Sequence, residues 1–457
     1  MLTLLFGKNI IKKNVNCYKN LHLRCIVEIK RDLYLSALID RKENGLVKVI
    51  TGIRRCGKSY LLNTIFYNYL ISEGVKADHI IRFAFDSAED LLSIGESLIK
   101  LEKENRKADP EKFMAYIRAQ IKDEKTYYLL LDEVQLLDCF ESVLNGYLRK
   151  GNIDVYVTGS NAKFLSSDII TEFAGRGDEI RMFPLSFAEF MSVYKGDKYE
   201  GLTEYMMYGG IPLVVLRQNA NDKARTLQNL FDEIYIRDIV KRNRLKKEDE
   251  LQDLLNILSS SIGSLTNPEK LKNTFRSVKN SKITTNTINK YIKCLEDAFL
   301  IEAVQRYDIK GKAYIDTPKK YYFSDLGLRN ARINFRQFEQ THAMENVIYN
   351  ELKMRGFNVD VGVVPVVQRN GSGVLERKQL EVDFVCNLGS KRYYIQSAYS
   401  LPTEEKQEQE VRPFKKIEDS FKKIIVTKDV VPETYDENGV LTVNIYDFLF
   451  NPQIIEN

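Results

Sequence analysis

Apolar positions along this chain fall into two rhythms. From Val47 to about Pro184, short apolar runs (VKVITG, IIRFAF, YYLLLD, DVYVTGS) alternate with amphipathic stretches: one from Lys58, one around 109–122 and one around 139–150. Buried β-branched and aromatic runs separated by helical ones predict a parallel sheet covered on both faces, hence an α/β domain. Ahead of it, Leu33, Leu35, Leu38 and Ile39 mark an amphipathic helix that ends near Gly45.

From about 202 to 335 the pattern is mostly helical. Asn267-Pro268-Glu269 is a helix start, with a cap, a proline in the first turn and an early acid. A second helix begins near Thr285, with Ile288, Tyr291, Ile292, Leu295 and Phe299 on one face and Asn286, Asn289, Lys290 and Lys293 on the other. The β-like runs LIEAVQRYDI and KKYYFSD follow, which is the order of a winged helix-turn-helix. The remainder reads as a helix around MENVIYNELKMRG, strands at NVDVGVVPVV, QLEVDFVCN and RYYIQSAYS, a polar helix around 404–418 and a strand FKKIIVT. The expected division is an N-terminal extension (1–27), a sheet domain (28–200), a helical region with the winged helix (201–338) and a small α/β module (339–457).

Composition narrows the classes. With 457 residues, 44% hydrophobic and 29% charged, the chain is globular and long enough for several cores. Lys plus Arg exceed Asp plus Glu only by 68 to 63, but the excess is local: Arg237 to Lys247 holds six basic residues against one acid, and Arg276 to Lys293 five with none. Six cysteines without a CxxC pair, and only three histidines, assemble no common zinc spacing and no disulfide scaffold. No apolar run approaches the ~18 residues that span a bilayer. MLTLLFG precedes Lys8, Lys12 and Lys13, the reverse of a secretory signal's charge order, so a cytoplasmic protein is expected.

The chemistry concentrates after the first strand. Gly52-Ile53-Arg54-Arg55-Cys56-Gly57-Lys58-Ser59 matches GxxxxGK[ST] and opens a helix. The two glycines permit backbone N–H groups to surround a phosphate, the helix N-terminus adds its dipole, Lys58 supplies a point charge and the Ser59 hydroxyl suits Mg²⁺. Later, YYLLL ends in Asp132 and Glu133, placing one acid for the metal shell and one to polarise an attacking water. The expected ligands are therefore ATP and Mg²⁺. Ser160 or Asn161, after the next strand, would contact the γ-phosphate or orient water; the alternative is a turn that caps a helix. Arg176 is either an arginine finger for a neighbour's phosphate or a solvated loop arginine.

These segments, with VYVTGSNAKFLSSD, FPLSFAEF, YGGIP and YIQSAYSL, resemble the prokaryotic AAA-domain ATPases fused to a C-terminal domain of unknown function, within the P-loop AAA+ superfamily. The resemblance covers about residues 28–430 and implies that Gly52–Ser59 is Walker A, Asp132-Glu133 Walker B, Ser160 or Asn161 the sensor-1 position and Arg176 a candidate finger. It also implies that residues 1–27 are an extra leader or a start-site artefact. Glu345, Asp383 and Gln396-Ser397-Ala398 resemble a PD-(D/E)xK nuclease whose last motif has lost its acid and its lysine. An amide is a weak ligand for a hard cation and a methyl group carries no charge, so the expected result is the fold without cleavage.

The implied protein is an ATPase that couples hydrolysis to rearrangement of its later modules on DNA or a protein partner. The exposed face of Asn286, Asn289, Lys290 and Lys293 suits a major groove, or is simply a solvated helix face or a protein-binding one. A non-hydrolysing nucleotide sensor and an ATP-dependent nuclease are the alternatives. An oligomer is compatible with all three.

Overall fold

The computed structural model describes residues 28–159, 175–279, 281–336, 338–369 and 375–456. The apolar runs become β1 (Val47–Thr51), β2 (Ile80–Ala84), β3 (Tyr127–Asp132) and β4 (Ile153–Thr158), joined by β5 (Gly177–Arg181) into a parallel sheet of order β2-β3-β4-β1-β5. The period-2 side-chain alternation of these strands feeds two cores. Val47, Val49, Leu129, Leu131, Val155 and Val157 pack under the helices Pro110–Gln120 and Phe140–Leu148, while Ile50, Leu130 and Tyr156 meet Phe66 and Leu70 on the opposite face. Asp109 caps the first of those helices through the N–H groups of Glu111 and Lys112, with Pro110 in its first turn.

The second core does not stop at the sheet. It continues through Leu254, Leu258, Ile288 and Leu295 to Tyr349, Phe384 and Val443, and Arg31–Asn457 forms one compact unit. In the helical region, Pro268–Lys279 and Thr285–Asp297 follow one another as anticipated, and Thr284 caps the second through the Thr287 N–H. The antiparallel pair β6 (Ile301–Asp308) and β7 (Ala313–Phe323) comes next. This hairpin is not a free wing, because β6 also pairs in parallel with β8 (Asn358–Arg369). With β9 (Leu375–Leu388), β10 (Lys391–Ala398), β11 (Lys422–Thr427), β12 (Thr434–Tyr435) and β13 (Val440–Asn444) it forms an eight-stranded sheet of order β12-β13-β11-β10-β9-β8-β6-β7. The helix Gln340–Met354 lies against it.

Candidate functional site

Gly52 closes β1 at φ +137°, and a Cβ there would sit 2.0 Å from the Met182 carbonyl oxygen. The first glycine is therefore demanded by the chain crossing from β5, whose Met182 N–H donates to Thr51 O at 2.7 Å. Gly57, at φ +107°, turns the backbone into the helix that starts at Lys58 and continues through a π-helical segment, Leu61–Phe66, to Ser72. Cys56 is fully buried behind the loop, while Arg55 and Ser59 face solvent. Lys58 is buried, and its Nζ donates to Gly52 O at 2.9 Å and Ile53 O at 3.1 Å. The hydrogen-bond partners of this ammonium among the described residues are neutral loop carbonyls, which an anionic ligand can displace.

The acids end β3, which β4 separates from β1. Asp132 ends β3, buried, and accepts a short hydrogen bond from Thr158 Oγ1. The same hydroxyl accepts the Glu133 N–H at 3.0 Å, with Glu133 in the left-handed region at φ +51°. Gln135 donates its amide to Glu133 Oε2. Burial pushes the Glu133 carboxyl above its ordinary range, and the Lys58 charge opposes that shift, so the lysine and the acid face one site. Asp86, two residues beyond the Ala84 that pairs with Asp132, is raised by burial and by the Asp132 charge, with Arg54 and Arg55 opposing.

Thr158 and Asp86 were missed from the sequence. Thr158 stands two residues before the expected pair Ser160 and Asn161, which lie outside the described residues. The available signal was a hydroxyl ending the strand before that pair, but its use depends on β4 lying beside β3. Arg176 is exposed, and its carbonyl accepts the Val47 N–H at 2.9 Å. It thus sits beside the start of β1, the end opposite the Gly52 loop. Arg54 lies 3.6 Å from Asp238 on the helix Arg237–Asn243, and its carbonyl accepts Tyr235 Oη–H at 2.6 Å. The basic stretch is thereby pinned to the phosphate loop. Asn286, Asn289, Lys290 and Lys293 are exposed as expected, with Lys293 reaching Asp297 at 3.1 Å.

Two of the quoted phrases turn out to organise the loop and its cover. In FPLSFAEF, Ser186 and Glu189 form a reciprocal capping box, and Glu189 holds buried Arg31 at 3.1 Å. Arg31 also donates to the carbonyls of Phe183 and Cys56, at 2.6 and 3.1 Å. In YGGIP, the Gly210 N–H donates to Asp325 Oδ2 at 2.7 Å, and a Cβ on Gly209 would meet that carboxylate at 2.2 Å. Burial pushes the Asp325 carboxyl up to about 6.

The parallel sheet, the GxxxxGK[ST] loop after β1 and the acids at the end of β3 all fall within residues 44–191, which the family model described as an AAA domain matches. A model of a domain of unknown function matches 199–339. The chain belongs to one family with an uncharacterized protein of Haemophilus influenzae, 32% identical over 427 residues that span 92% of this chain and 98% of the relative. An uncharacterized protein of Methanocaldococcus jannaschii is 27% identical, over 92% of this chain and 88% of its own length. Among solved structures, the Aeropyrum pernix ORC2 protein matches at 12% identity and TM-score 0.35, covering 70% of this chain and 96% of that one. The Aeropyrum pernix ORC1 protein in complex with DNA matches at 12% and 0.27, covering 67% and 93%. Similarities at that level carry no functional argument. No described helix is long and apolar enough to cross a membrane.

Proposed function

We propose that the protein is a Mg²⁺-dependent ATPase, working in the cytoplasm, whose hydrolysis rearranges the winged-helix and C-terminal modules on DNA or a protein partner. The observation that carries this reading is a buried Lys58 at a helix start beside Asp132 and Glu133, with Thr158 bonded to both acids' residues. Lys58 would exchange its two loop carbonyls for phosphate oxygens, a stronger charge-assisted pairing. The N–H groups from Ile53 to Ser59 would line the phosphates. The exposed Ser59 hydroxyl and the Asp132 carboxylate are hard oxygen donors suited to Mg²⁺, which when bound would neutralise phosphate charge. Glu133 takes the proton of the attacking water, and its raised pKa improves it as a base.

Arg176, at the far end of β1, would serve another copy's phosphate, and Ser160 or Asn161 would orient the water. The face of Asn286, Asn289, Lys290 and Lys293 is the proposed DNA contact. The sensor reading leaves Glu133 without a task, and the nuclease reading lacks both the acid and the lysine of its last motif. Phosphate release from ATP, measured with and without DNA, is the test. Wild type should turn over only with Mg²⁺, Lys58→Ala should lose binding and turnover, and Glu133→Gln should keep binding while turnover falls about 10²- to 10⁴-fold. Tight binding with no turnover under any condition would leave only the sensor.

A further inference from the structure

A second buried lysine faces carboxylates far along the chain from the phosphate loop. Lys320 on β7 is 3% exposed, and its Nζ lies 2.7 Å from Glu381 Oε1, 2.8 Å from Glu345 Oε1 and 3.7 Å from Asp383 Oδ1. The acids come from the helix Gln340–Met354 and from two same-face positions of β9. Two of them are separately supported. Glu345 Oε1 also accepts Tyr322 Oη–H at 2.5 Å, and Asp383 Oδ2 accepts the Ser397 N–H at 2.8 Å. Gln396 Oε1 accepts the Asp383 N–H at 3.3 Å, so the amide that stands at the expected acid position spends its oxygen on backbone and its nitrogen on Glu410 at 3.1 Å. Gly263 roofs the cluster, since a Cβ there would approach His342 Nδ1 to 2.9 Å and Glu345 Oε2 to 3.2 Å.

Three oxygen-bearing acids converging on one point are a setting for a divalent ion, yet among the described residues no group of three or more His, Cys, Asp or Glu is spaced to hold one. The point of convergence is taken. The geometry points to a cation site filled by the chain itself: the Lys320 ammonium occupies the position of a divalent ion between Glu345, Glu381 and Asp383 and excludes metal from the C-terminal module. An ammonium is a point donor whose hydrogen bonds reach two acids at once, and tethering removes the entropy a free ion loses on binding. Its single charge balances only one of the three carboxylates. Burial, with the Glu345 charge adding, pushes the Asp383 carboxyl up, whereas Glu345, despite burial, is held low by Lys320 and its hydrogen bonds. Glu381, with a side chain 36% exposed, is where the cluster meets solvent and where an ion would enter.

The test is Mn²⁺ titration of the nucleotide-free full chain, read by electron paramagnetic resonance. Wild type should bind no Mn²⁺ that depends on Asp383. Lys320→Ala should gain one equivalent per chain, and Lys320→Ala combined with Asp383→Asn should lose it again. If Lys320→Ala does not fold alone, Mn²⁺ should restore its circular dichroism and melting transition while leaving wild type unmoved. A wild-type Mn²⁺ site abolished by Asp383→Asn, or a Lys320→Ala chain that neither gains an equivalent nor recovers with Mn²⁺, would overturn the assignment. ATP binding plays no part in these measurements, so they stand apart from the ATPase reading.

Discussion

The phosphate loop and the Lys320 cluster each bury a lysine beside acidic side chains, and the partners of the two ammonium groups set them apart. Lys58 donates to two backbone carbonyls of its own loop, neutral acceptors that an anion can displace. Lys320 donates to carboxylates, and, although burial opposes it, those charges hold its proton more tightly than an ordinary lysine's. A buried cation on neutral acceptors is poised for a ligand, and one on carboxylates is a finished structure. Residue type and burial are the same in both places. The acceptor decides.

Three substitutions probe this contrast. Gly52→Ala should have the largest effect, because it forces a Cβ against Met182 O and keeps a φ that L residues avoid. A loss of about 3 kcal/mol is expected in denaturant melts without nucleotide, which would separate the loop's built-in strain requirement from its ligand chemistry. Thr158→Ala should cost about 1–2 kcal/mol, since the buried Glu133 N–H loses its acceptor and Asp132 a donor. Steady-state assays should show kcat falling with the KM for ATP little changed; an unchanged kcat would remove Thr158 from the site.

Asp383→Asn should have the most pH-dependent effect. With its carboxyl raised from an ordinary 3.8 to about 8, folded Asp383 holds a proton that the unfolded chain has lost. Stability contributed at this position therefore falls as pH rises from about 4 to about 8. Lys320, Glu345, Glu381 and the Ser397 N–H surround the group. Melts from pH 4 to pH 9 should show the asparagine variant gaining on wild type with rising pH, and parallel curves would mean that Asp383 is already ionised.

Much of the candidate site was legible because it is local. Gly52, Gly57, Lys58 and Ser59 lie within eight residues, and Asp132-Glu133 ends a run too apolar to be anything but a buried strand. Asp86 and Thr158 were not, because their place beside Asp132 follows from the order of β2, β3 and β4, which no local pattern states. Strand β5 was also missed. Only Ile180 of GDEIR is buried, and the segment is a strand because β1 offers it a hydrogen-bonding edge. Two helices and a hairpin follow in the expected order, and the pairing of Arg306 with Val361 joins that hairpin to strands beyond it in the chain.

The chain's own order of residues determined the alternation of strands and helices, the glycine turn from Gly52 to Gly57 and the exposed basic face of Thr285–Asp297, because each depends on neighbours within a few positions. Tertiary structure alone decided that a Met182 carbonyl, rather than a phosphate, first requires Gly52 to lack a side chain. It also decided that Lys320 meets an acid 25 residues away and two others more distant still. Periodicity fixes which face a side chain takes, but which charges meet across that face depends on how the sheets are ordered and covered.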